Sequence, residues 1–175
     1  MRKHWPFILA VVLQVLIVAA VPATRLPVLL SGRTVLLKTA PVDPYDILSG
    51  YHVVLSYEIS APDRLDRLPG TPYFQRGDRA CVVLKEGPDG VWGAVRASGE
   101  WPKDVKPDEV VIKGRYDGRR IVYGIEHYFI PEGKGAEIEQ GLRTERARTR
   151  VEVKVDGFGH AALVRLHVGD KTYDY

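Results

Sequence analysis

The sequence predicts a mainly β fold: an antiparallel β-rich domain with one short helix, preceded by a single N-terminal transmembrane helix. Three observations carry that prediction. An uncharged apolar run fills residues 5–24, short branched and aromatic runs follow from Arg33 onward, and three Asp-Gly pairs stand between such runs. The 175 residues supply about one domain with a real core. Apolar residues make up 45% and charged residues 27%, near the average of soluble domains, which excludes collagen-like, disordered and coiled-coil chains.

The first element is the apolar run. MRKH precedes WPFILAVVLQVLIVAAVPAT, and as a helix those residues extend about 30 Å, one bilayer core. Pro6 suits a first helical turn, where its missing N–H is least needed. A buried globular helix keeps a polar stripe, whereas this run has only Gln14 near its middle. A cleaved signal peptide, with Val21 and Ala23 at its processing site, and an uncleaved signal anchor both fit the pattern. The length of the run favours the anchor. Arg2 and Lys3 favour a cytoplasmic N-terminus and leave the remainder outside. No Cys follows the run to carry a lipid. The chain therefore divides into a membrane anchor over 1–24 and a β-rich extracytoplasmic (periplasmic) domain over 25–175.

The strands follow in order. RTVLLKTAPV is rich in branched residues, and VVLSYEI sets Val53, Leu55, Tyr57 and Ile59 on one face. Runs 79–85 and 91–97 flank Asp89-Gly90, runs 109–116 and 119–124 flank Asp117-Gly118, and runs 151–155 and 161–168 flank Asp156-Gly157. Asp-Gly between branched runs is a hairpin signal, so the sheet reads as antiparallel. Ile125 to Ile130 adds a strand stopped by Pro131. Only Gly135 to Arg148 reads as helical, with Ile138 and Leu142 four apart and Gly141 limiting its length. Ser60 to Gly77 reads as a long excursion with one helical turn near Asp63–Leu68. Trp92 and Tyr57 are expected in the core.

Charge and cysteine content exclude some functions. The chain carries 25 basic and 22 acidic residues, a formal charge of +3. Without Arg2 and Lys3 the balance is near neutral, so the domain lacks the basic footprint of a nucleic-acid binder. The lone Cys81 excludes an internal disulfide and a Cys-based zinc cluster and reads as an inert thiol.

LKTAPVDPYDILSGYHVVLSYEI resembles the GDYXXLXY family of bacterial membrane-anchored proteins. The motif falls on Gly50-Tyr51-His52-Val53-Val54-Leu55-Ser56-Tyr57. Gly50, Leu55 and Tyr57 match it, and Tyr51 and His52 stand where the motif has Asp and Tyr. Asp43, Pro44 and Asp46 upstream, Pro131, Glu132 and Gly133 after Tyr128-Phe129-Ile130, and the closing GHAALVRLHVGDK also resemble the family. The resemblance implies a membrane location and this architecture, and companionship with multi-span membrane proteins. It implies no particular chemistry.

The motif has a physical account of its own. Pro44 pushes Asp43 towards an extended conformation, and Asp-Pro starts turns. Tyr45 to Ser49 then makes one short helical turn, ended by Gly50 at positive φ. Leu55 and Tyr57 enter the core from the following strand. The competing reading makes Asp46, Tyr51, His52 and Tyr57 a partner surface.

Candidate chemistry is sparse. A signal-peptidase-like arrangement places its nucleophilic serine upstream of a Pro and a Gly-Asp. Here that alignment puts Pro41 at the nucleophile, with Ser49 and Ser31 misplaced. Histidines 52, 127, 160 and 167 form no HxH or HxxxH pair, and a site across strands would need His52, Glu58 and His127. No P-loop, GxSxG or Rossmann pattern appears, so no cofactor is expected. Arg143, Arg146, Arg148 and Arg150 read as a solvated face or a contact for anionic lipid. Two functions follow: a membrane-anchored binding or accessory protein of a membrane or envelope complex, and, alternatively, a cell-envelope hydrolase using Glu58, Glu132 and His127.

Overall fold

The computed structural model describes residues 5–23, 26–40, 48–49, 52–68, 70–129, 135–145 and 148–174 and, within the first helix, the side chains of Trp5 and of 7–18. That helix, α1, is Trp5–Ala23. Every one of those side chains is exposed. Among the described residues no helix is long and apolar enough to cross a membrane. A short α2 (Leu26–Ser31) follows and buries Val28 against the domain. Lys154 reaches back to donate to the Leu29 carbonyl at 2.5 Å.

The branched runs form two sheets. The larger one orders β11 (Lys171–Asp174), β10 (Ala161–Val168), β9 (Thr149–Val155), β1 (Arg33–Lys38), β5 (Trp92–Ser98), β4 (Arg79–Glu86), β6 (Glu109–Tyr116) and β7 (Ile121–Val122). The smaller one is β2 (Leu48–Ser49), β3 (His52–Val54) and β8 (His127–Phe129). Period-2 alternation sets the faces: β9 buries Thr149, Val151, Val153 and Val155 in turn, and β1 buries Val35 and Leu37. The main core gathers these with Leu84, Ile112, Ile121, Tyr128 and Leu166. Residues 80–84 of β4 are buried on both faces, because Cys81, Val83 and Val111 make a second small cluster on the far side. Trp92 and Tyr57 are buried, as their apolar settings predicted.

Several local expectations need correction. Neighbouring strands are antiparallel except β1 and β5, which run parallel with Leu37 in register opposite Trp92. The run 53–59 keeps its predicted inward face but is not one strand: β3 ends at Val54, and Glu58–Ser60 forms a 3-10 turn. Leu48–Ser49 is a strand paired with β3, not the end of a helical turn, because cross-strand pairing supplies partners a lone turn lacks. The third Asp-Gly pair is also shifted. Gly90 and Gly118 take positive φ, but in the last hairpin Gly159 does so (φ +84), with Asp156 closing the turn through bonds to His160 and Gly159. The sequence reading missed β11, whose polar KTYD carries no apolar alternation and is held as an edge strand by backbone pairing to β10. Helix α3 (Pro62–Leu65) sits where one helical turn was expected, and α4 (Gly135–Thr144) sends Ile138 into the core.

Candidate functional site

The motif residues are found in the interior. Leu55 is 2% exposed and Tyr57 is 0% exposed. Their backbone lies between two segments: Ala40 N–H donates to Ser56 O at 2.8 Å, and Leu55 N–H donates to Glu126 O at 2.6 Å. A bridge from Thr39 to Tyr57 ties the motif to the end of β1. The Tyr57 hydroxyl crosses to the Ile125 carbonyl at 2.5 Å. Tyr123 answers from the other side, its hydroxyl donating to Ile59 O at 2.6 Å. Two buried phenols thus exchange main-chain bonds between segments far apart in sequence.

Glu126 completes this network. It is a buried carboxylate, and its two oxygens accept the Tyr123 N–H at 2.5 Å and the Gly124 N–H at 2.8 Å. Burial raises the pKa of both Tyr57 and Tyr123 well above the usual tyrosine range, and the nearby Glu126 charge adds to it. A phenol held this firmly protonated is neither base nor nucleophile at neutral pH. Its proton is committed to a carbonyl, and the carboxylate is committed to backbone N–H groups. The arrangement is a lock between the motif and the 123–126 segment. The sequence reading placed Glu126 on a strand face opposite His127, and burial agrees: Glu126 is inside and His127 outside. It did not foresee the network. The available signal was an acidic residue within a branched and aromatic run, two positions after a glycine.

The remaining candidates disperse. Asp43, Pro44, Asp46, Gly50, Pro131, Glu132 and Gly133 lie outside the described residues, as does Tyr51. Glu58 is held by Lys38 Nζ at 3.1 Å and Arg64 Nη1 at 2.8 Å. The register pairs His52 with Phe129 and Val54 with His127 in the small sheet. Among the described residues no group of three or more His, Cys, Asp or Glu could hold a metal ion. His160 pairs with Asp156 at 3.0 Å, and His167 contacts Thr172 at 3.1 Å. Of the basic run, Arg148 is paired with Asp170 and Glu145. Cys81 is a buried free thiol whose pKa is raised by burial, against the opposing pull of Lys113 and Arg79.

A family model described as GDYXXLXY protein matches residues 14–166. No curated protein and no solved structure matches the chain.

Proposed function

The chain belongs to the GDYXXLXY family, and on that premise we propose that it is a membrane-anchored accessory protein whose β domain works outside the cytoplasm as a binding component of a membrane or envelope complex. One observation carries this reading. The described side chains of α1 are apolar apart from Gln14, and all are exposed, so the helix buries none of them against its own domain. A free helix of this composition loses apolar hydration only by entering lipid or meeting another apolar helix. Its 19 residues extend about 28 Å. In this reading the N-terminus stays cytoplasmic and the partner is a multi-span membrane protein.

The interior position of the motif supports the same view. Leu55 and Tyr57 stabilise the fold, so recognition falls to other surfaces.

Two measurements on the full chain test this. After alkaline carbonate washing the chain should remain with the membrane pellet, and N-terminal sequencing should find the apolar run attached. A mature chain starting at Thr24, or release into the wash, refutes the anchor. A pull-down from detergent extract should bring a multi-span membrane protein with it, and recovery of the bare chain would refute the accessory role.

A further inference from the structure

The far side of the β4–β6 pair carries a concentration of positive charge that no ion pair among the described residues neutralises. Strand register sets Arg79 directly opposite Arg115, and Cys81 opposite Lys113. Their neighbours Ala80, Val82 and Ile112 point into the main core, so these three cations stand on the opposite face, exposed. Like charges directly opposite one another disfavour the pairing. No carboxylate within salt-bridge distance offsets them: among the described residues none of the three makes an ion pair. Arg115 donates to the Gly77 carbonyl at 2.7 Å, and the Lys113 ammonium lies 4.7 Å from the centre of the Trp101 ring. They border an open groove of about 750 Å³. Among its described lining residues the one carboxylate is Glu100, and His160 on its rim is paired with Asp156.

The surroundings of the groove show which way it faces. Trp101 is 41% exposed and Phe158, at the tip of the β9–β10 turn, is 71% exposed. A Cβ on Gly159 would meet Lys113 at 2.9 Å and Trp101 at 3.0 Å, so that turn packs directly on the groove. Val28 of α2 lines an adjoining hollow with Lys113, Tyr123 and His160. The rest of α2 presents Leu26, Leu29 and Leu30 to solvent. Val28 lies five positions after Ala23, the end of α1, a span of at most about 18 Å. Exposed indole, phenyl and leucine side chains beside unpaired cations, next to the end of an apolar helix, are the composition of a surface at the lipid–water boundary.

We propose that this face rests on the bilayer, with the Arg79–Lys113–Arg115 groove holding the phosphate of an anionic lipid headgroup. The proposal rests on α1 being the membrane anchor. Anchoring alone does not set which face of the domain meets the membrane. Headgroup contact instead fixes which face meets the membrane and leaves the opposite side of the sheet for a partner.

The test reconstitutes the full chain in nanodiscs of phosphatidylcholine, with or without phosphatidylglycerol, each containing a lipid with a nitroxide on its headgroup. A Trp5→Phe background leaves Trp92 and Trp101 emitting, and Trp5→Phe/Trp101→Phe supplies the subtraction. Trp101 emission should fall about twofold or more when phosphatidylglycerol is present and little when it is absent. Salt at about 1 M, where the Debye length is about 3 Å, should remove the difference. Lys113→Gln/Arg115→Gln should also remove it while thermal melting stays unchanged, because both side chains are exposed. Equal Trp101 emission in the two lipids, or quenching that survives the double substitution, overturns the docking. An acidic protein as the true occupant of the groove would appear as absent quenching in partner-free discs, which also overturns it. A chain that never enters the discs refutes the anchor itself, so the two failures are distinguishable.

Discussion

Replacing Tyr57 separates a structural motif from a recognition motif. The ring is fully buried among the core side chains, and its hydroxyl donates to the Ile125 carbonyl at 2.5 Å. Tyr57→Phe keeps the ring and removes only the donor, leaving a buried carbonyl unpartnered, at a cost of about 1–2 kcal/mol. Tyr57→Ala also empties the volume of the ring, and by analogy with buried Phe should cost about 3–5 kcal/mol. For a domain whose whole stability is on the order of 5–15 kcal/mol, the second change is severe. At about 2–4 °C per kcal/mol for a domain of this size, the two variants should separate clearly in a thermal melt of the detergent-solubilised chain. A pull-down of the proposed membrane partner on the same samples completes the assay. Partner loss should follow loss of folding and never precede it. Tyr57→Ala with an unchanged melt and a lost partner would refute the argument and make this position a recognition surface. Equal destabilisation by Phe and Ala would show that the hydroxyl, not the packing, is what the motif provides.

Gly114→Ala should destabilise the domain by about 1–3 kcal/mol, because the added Cβ would lie 2.5 Å from Ile121 Cγ2 and 2.8 Å from the Val122 carbonyl, forcing β7 outward; urea melts read this directly, and an unchanged midpoint would contradict it. Stability should also fall in strong alkali. Tyrosines of the unfolded chain ionise near pH 10, whereas burial holds the folded Tyr57 and Tyr123 well above that and pushes Tyr128 up to about 12. The folded chain then binds more protons than the unfolded one, so this contribution is complete below about pH 10 and is lost as pH rises through the folded values. Phenolate absorbance should show these three groups titrating together with unfolding, and free titration near pH 10 in folded protein would refute their burial.

Much of this protein is determined locally and is therefore legible in its sequence. Branched runs alternate with turn residues because strands pair through local repetition of one pattern, and β9, β10, β4 and β6 lie close to where that pattern puts them. Alternation likewise placed Val53, Leu55, Tyr57 and Ile59 inward, although the strand itself stops at Val54. The apolar run at the N-terminus is a helix for the same local reason. Other features were settled only in three dimensions. β11 exists because β10 offers an unpaired edge to a polar segment. The parallel contact of β1 with β5 depends on how the sheet curls, and neither strand carries its neighbour's direction in its own residues. The lock of Tyr57, Tyr123 and Glu126 joins positions up to 69 apart, and the Arg79–Arg115 face appears only once register sets β4 against β6. Spacing along a chain encodes which side of an element a residue occupies. Which residues meet across elements is decided by closure of the whole core, where burial turns a phenol into a lock and leaves three cations facing outward.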